Sequence, residues 1–137
     1  MVLVIAILLV IITVLIHNEV LMHLSGWLRT WRFLRLRFSL AVLAVIFTHA
    51  FEIGLFAAAY YLFMRIGGFG ALTGDAFKGI GDVGYYSFVT YTSLGYGDIT
   101  PVGSLRFLAE LEVLTGLVML AWTASFFFVF MSDLWKK

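Results

Sequence analysis

The chain has no cysteine, a single proline and few charges: Asp, Glu, Lys and Arg make up 12% of its 137 residues. Without thiols there are no disulfides and no thiolate-bound metals, and cysteine usage leaves the redox compartment open. So little charge excludes an ordinary soluble domain, in which about a quarter of residues are charged. The formal net charge of +1 excludes a nucleic-acid footprint and an acidic tail. The N-terminus has no basic lead-in and no small-residue cleavage site, so the residues after Met1 are expected to form a helix that is kept. The bulk of the chain is apolar: 63% of residues are hydrophobic and the mean hydropathy is +1.05. The composition describes one integral membrane domain.

Three stretches are candidate spans. VLVIAILLVIITVLI, residues 2–16, carries no charge, yet at 1.5 Å per residue it covers only about 22 Å of a hydrocarbon core of roughly 30 Å. Continuing through HNEVLMHL brings it to crossing length, with His17 and Glu19 near the interface. The second span runs from Leu40 to about Ile66 and is interrupted by THAFE, which places His49 and Glu52 near mid-membrane. The third runs from about Leu105 to Leu134, with Glu110 and Glu112 in its first turns and Gly116 inside.

Between the first two spans lies SGWLRTWRFLRLRF, where Arg29, Arg32, Arg35 and Arg37 alternate with Trp27, Leu28, Trp31, Leu34 and Phe38. Three- and four-residue recurrence of apolar side chains predicts an amphipathic helix at the headgroups. Its arginines place it on the cytoplasmic side, and Lys136–Lys137 place the C-terminus there too. The second span then runs outward, the third inward, and the segment between them faces outside. The N-terminus is outside if the first span crosses. A helix that only dips into the bilayer is the alternative, and crossing is the reading adopted. The arginines are not spaced as a voltage sensor on a long apolar span, so the linker reads as a membrane-surface cuff.

The segment 67–104 opens with the glycine-rich GGFGALTGDAFKGIGD, suited to an exposed loop. VGYYSFVTYTS comes next, too short to span but long enough for a re-entrant helix, with Asp82 placed to cap it. Irregular backbone at membrane depth is tolerated where it is buried in protein or lines a water-filled path. A short helix leading into SLGYGD therefore implies a pore or a buried binding loop.

These residues resemble the potassium-channel pore family, with its outer helix, re-entrant pore helix, signature loop and inner helix. The family signature is Thr-Thr-Val-Gly-Tyr-Gly-Asp, and the chain carries Thr92-Ser93-Leu94-Gly95-Tyr96-Gly97-Asp98. The resemblance covers about Leu40 to Leu134. It implies that carbonyl rings at Ser93, Leu94, Gly95 and Tyr96 hold dehydrated K+, the family mechanism for which potassium channels are the type example. It also implies a Ser93 hydroxyl ring innermost and a Tyr96 ring packed behind the loop. Glycine accepts the positive φ that alternating carbonyls require, hence Gly95 and Gly97. Tyr85 and Tyr86 stand where many family members carry a tryptophan pair, and a Tyr85–Asp98 hydrogen bond would brace the filter. Ser93 and Leu94 depart from threonine and valine, and Val89 is apolar where some relatives carry a buried glutamate.

Other residues have more than one reading. His49 and Glu52 share a helix face, and can sense pH, bind a metal, or simply hydrogen-bond to each other against the first or third span. The mutual bond is preferred, since two ligands fall short of a metal site. His17, Glu19 and His23 read as interfacial residues rather than ligands. Glu110 and Glu112 cannot share a face; one can face the vestibule and the other pair with Arg65 or Arg106. Gly116 lies close to where relatives carry a hinge glycine, and reads equally as hinge or close-packing residue. Phe127 and Phe128, in the Phe126–Phe128 run, lie where an apolar ring can close by dewetting.

The expectation is thus an all-α integral membrane protein with three transmembrane helices, a re-entrant pore helix and a selectivity-filter loop, assembled as a homotetramer because one loop is a quarter of a four-fold filter. Residues 1–24 form the N-terminal helix, 25–38 the basic linker and 39–134 the pore domain. The latter divides into outer helix 39–66, turret 67–81, pore helix 82–92, filter 93–98 and inner helix 104–134. The expected function is passive K+ conduction across a plasma or inner membrane, not an enzymatic one. Copies of itself and lipid are its partners, with no nucleic acid, no cofactor but K+ in the filter, and no soluble regulatory domain in the chain. The alternatives are a weakly selective monovalent cation channel, a subunit of a cation transporter, and a pH- or metal-responsive membrane protein using His49 and Glu52.

Overall fold

Residues 2–24 contain neither proline nor glycine, so nothing interrupts the first helix where its apolar run ends. In the computed structural model, which describes residues 1–28 and 34–135, that helix is α1, Val2–Leu28. It extends past the expected boundary at residue 24. Ser25 satisfies its hydroxyl on the Met22 carbonyl at 2.7 Å and so does not end the helix. Its 27 residues reach about 40 Å, enough to cross a hydrocarbon core.

Helix α2 (Leu34–Ile66) also starts earlier than the expected residue 39. The surface helix expected over 25–38 is therefore corrected at both ends: its first residues continue α1 and its last begin α2. The Arg37 guanidinium lies 5.4 Å from the Trp27 ring centre and donates to the Trp27 carbonyl at 3.1 Å, tying the two helix ends together. Arg29, Arg32, Trp31 and Lys136–Lys137, on which the orientation rests, lie outside the described residues.

A glycine-rich connection leads to β1 (Leu72–Thr73), which pairs antiparallel with β2 (Thr100–Pro101) through Leu72↔Pro101 and Thr73↔Thr100. This two-rung ladder fastens the connection to the chain just after the signature loop. Between them runs the short helix α3 (Ile80–Tyr91). Asp82 caps it from the third helical position, its Oδ2 accepting the N–H groups of Lys78 at 2.7 Å and Gly79 at 2.9 Å. Helix α4 (Leu105–Trp135) completes the chain.

Helix α3 packs between α2 and α4, and α1 packs against α2 and α4. The buried centre is formed by Phe56, Tyr60 and Phe63 of α2, Val83, Tyr86 and Tyr91 of α3, and Leu105, Leu108 and Met119 of α4. Outward faces stay apolar, with Leu8 and Leu15 on α1, Phe47 and Phe51 on α2, and Leu114 and Val118 on α4 all exposed. Lipid tails are as apolar as leucine, so such faces need no protein cover in a bilayer. Three helices, α1, α2 and α4, are long and apolar enough to cross.

Helices α3 and α4 approach closely at Gly116. A Cβ there would lie 2.0 Å from the Tyr91 carbonyl oxygen. Glycine is required at this contact for close packing, whatever bending it also permits.

Candidate functional site

The loop 92–98 grows out of the C-terminal end of α3. Its first amide groups fold back onto the helix, Ser93 N–H donating to Thr90 O at 3.0 Å and Leu94 N–H to Val89 O at 2.9 Å. From there the backbone alternates in hand. Ser93, Gly95 and Gly97 have φ of 58°, 55° and 77°, whereas Leu94 and Tyr96 are not left-handed. Alternation of this kind turns successive carbonyls toward one side, giving a column of oxygen ligands. The sequence pointed to the two glycines for this role but not to Ser93, the third left-handed residue. Its Cβ makes that conformation cost about 1–2 kcal/mol.

The loop is fastened at its far end. Tyr85, on α3, donates its hydroxyl to Asp98 Oδ2 at 2.9 Å, which is the hydrogen bond the sequence suggested. Partial desolvation, and then this bond to Asp98, hold the Tyr85 phenol above its ordinary pKa, so it remains a donor through neutral pH. Tyr86 turns instead to the core, edge-on to Tyr60 with ring centres 5.2 Å apart. Residues 93–98 are exposed, and the Tyr96 ring is 67% exposed. The packing expected behind the loop is thus not supplied to Tyr96 by its own chain. An open cleft of about 580 Å³ runs beside the loop, lined by Ser93, Gly95 and Gly97 together with Ala109, Glu110 and Val113 of α4.

Behind α3 lies a buried carboxylate. Glu112 of α4 is fully buried and accepts hydroxyl protons from Tyr60 at 2.7 Å and from Ser87, which also approaches the Ile53 carbonyl at 2.9 Å. The arginine partner considered for this glutamate is not among these contacts; hydroxyls reach it where arginines do not. Glu110, two residues away, points to the cleft instead. Val89 leaves no carboxylate at its own position on α3, and α4 delivers one to that helix through Ser87.

A second polar cluster joins the middle parts of α1, α2 and α4 to the C-terminal end of α3. Glu52 Oε1 meets His17 Nδ1 at 3.0 Å, and Glu52 Oε2 meets His49 Nδ1 at 3.2 Å and the Tyr91 hydroxyl at 2.5 Å. Thr123 Oγ1 lies 3.1 Å from Nε2 of both histidines. His17 and Glu52 are fully buried. His17 is therefore no interfacial residue, a correction with a plain cause: α1 seats it against α2 at the level of Glu52. His23 and Glu19 do lie exposed, bonded to each other.

A family model described as "Ion channel" matches residues 3–133, nearly the whole chain including α1. The chain belongs to the ion-channel family. The match is of the two-helix, potassium-channel type, and the channel is a membrane protein. No curated relative and no solved structure matches it.

In this channel the signature residues Thr92 to Asp98 and Tyr85 come together at one end of α3, while His49 and Glu52 gather at the other side of Tyr91 with His17. Phe127 packs edge-on against Phe38 of α2 at 5.3 Å, and Phe128 is exposed. The residues that the sequence reading missed are Ser87 and Tyr91, while His17 was placed at the interface rather than in the cluster. Each is polar within an apolar helical stretch, which was the one available signal.

Proposed function

We propose that this channel is a homotetramer conducting K+ passively, with residues 92–98 of four copies forming the selectivity filter. The carbonyls of Ser93, Leu94, Gly95 and Tyr96 hold the ions, replacing their water shell. The observation that carries the reading is the alternating hand at Ser93, Gly95 and Gly97. In this reading α3 is a re-entrant pore helix whose negative end favours a cation in the cavity below. The exposure of Leu94 and Tyr96 supports assembly, since both side chains lack cover in one copy. The filter faces outside a cell membrane, with the α1–α2 connection and the C-terminus in the cytoplasm. A second reading, a weakly selective cation channel, is favoured by Leu94, whose side chain is 56% exposed and so braces the loop little from within its own chain.

The test is the reversal potential of the purified channel in liposomes under a K+/Na+ gradient, beside Gly95→Ala. No atom lies within 4 Å of a Cβ built at Gly95, so this substitution strains the backbone without a clash. A potential near the K+ equilibrium value, abolished by the substitution, is expected. A potential near zero with intact flux overturns the selective reading.

A further inference from the structure

We infer that His17, His49 and Glu52 form a binding site for a divalent transition-metal cation of the Zn2+ class. The inference is independent of which ion the channel conducts.

The donor set is two imidazoles and one carboxylate, the combination that binds such ions with one position left for a further ligand. One ligand atom from each residue lies within 4.8 Å of the others. Bonds of 2.0–2.2 Å would place tetrahedral ligands about 3.4 Å apart, so small side-chain rotations close the set. The site joins two successive helices through residues distant in sequence: His17 comes from α1, His49 and Glu52 from one face of α2. Among the described residues no basic side chain besides the histidines contacts Glu52.

The hydrogen bonds around the three residues point the same way. Both histidines turn Nδ1 to Glu52 and Nε2 to Thr123. A neutral imidazole donates at one nitrogen and accepts at the other. If both rings donate through Nδ1, both Nε2 atoms need a proton from Thr123, whose hydroxyl has one to give. One Nε2 is then left without a donor in a buried place, which is costly. A cation held by both Nδ1 atoms and the carboxylate moves both ring protons to Nε2. The Thr123 oxygen has two lone pairs and accepts both. This is the outer hydrogen bonding that metal-bound histidine makes, here supplied twice by one hydroxyl. Tyr91 donates to Glu52 from α3 and orients the carboxylate. A bound ion would therefore fasten α1 to α2 and, through Tyr91, to the end of α3 that carries the loop, and through Thr123 to the middle of α4.

Two metal-free arrangements also balance the protons: one doubly protonated ring, or the Tyr91 hydroxyl, 3.2 Å from His49 Nδ1, donating there while His49 donates to Thr123 through Nε2. Cobalt separates a metal site from both. Co2+ is titrated into the purified full-length channel in detergent, and visible absorption is read for the intense bands of a tetrahedral ion. With no cysteine in the chain, no thiolate contributes. The expected result is one Co2+ per chain, displaced by Zn2+, lost in His17→Gln and retained in His23→Ala. Thr123→Val keeps the side chain's shape and all three ligands, and is expected to weaken binding about 10–100-fold. It reads the same site if His17→Gln does not assemble. Absence of the bands, their persistence at full affinity in Thr123→Val, or their loss in His23→Ala overturns the inference. Binding is read without current, so the result stands whatever the liposome flux shows.

Discussion

Gly116→Ala adds a single methyl group at a close contact between α3 and α4. Its carbon would sit 2.0 Å from the Tyr91 carbonyl oxygen, 2.8 Å from the carbonyl carbon and 3.0 Å from Cδ1. Close carbon–oxygen contacts in proteins run about 3.3–3.6 Å, so the two helices must part by more than ~1 Å. Two of the three atoms are backbone, and no rotamer change relieves them. Overpacking of this kind costs about 1–3 kcal/mol, and the backbone clash puts this case at the upper end. Alanine returns up to about 1 kcal/mol through better helix propensity. The net loss is about 2 kcal/mol, which for a chain of this size lowers the melting temperature by roughly 5–10 °C. The assay is thermal unfolding in detergent, tracked by tryptophan fluorescence and by loss of the assembled peak on size exclusion. Gly84→Ala on α3 is the control, because no atom lies within 4 Å of a Cβ there. It is expected to be neutral or mildly stabilising. If Gly116 served bending alone, alanine would stiffen α4 and raise the melting temperature. A Gly116→Ala protein that melts at or above the wild-type temperature refutes the packing argument.

Tyr85→Phe removes the hydroxyl that holds Asp98. Stability should change little, because the residue is 39% exposed. Current through reconstituted channels should decay faster or lose selectivity, and unchanged recordings would show that the bond braces nothing. Ser87→Ala takes one of two hydroxyl donors from the buried Glu112 carboxylate. The expected loss is about 1–3 kcal/mol, read in the same melting assay, and no change in melting would mean that Glu112 finds another donor or is protonated.

Helix existence was legible because long apolar runs without proline leave the backbone one way to satisfy its polar groups in lipid. Helix ends were less so. Ser25 and Gly26 look like a stop, yet Ser25 bonds within α1 and the helix continues to Leu28. The signature loop was legible through its resemblance to the potassium-channel signature, with Gly95 and Gly97 where that signature needs positive φ. Left-handed Ser93 was hidden, since nothing in a serine announces positive φ. His49 and Glu52 could be paired by their three-residue spacing on one helix. Their third partner, His17, lies 35 residues from Glu52 on another helix, and no local pattern connects them.

By itself, then, the sequence determined the membrane as solvent, three helices long and apolar enough to cross it, and the loop with its glycine pair, because composition and short-range periodicity encode these locally. Only the tertiary structure decided which polar side chains meet. Glu112 went to Ser87 and Tyr60 rather than to an arginine, and His17 to Glu52 rather than to the interface. In an apolar interior a polar group must find a partner, but helix packing chooses which one. Gly116 shows the same division: its identity was plain, and its packing role became visible only when Tyr91 was found 2.0 Å from where its side chain would begin.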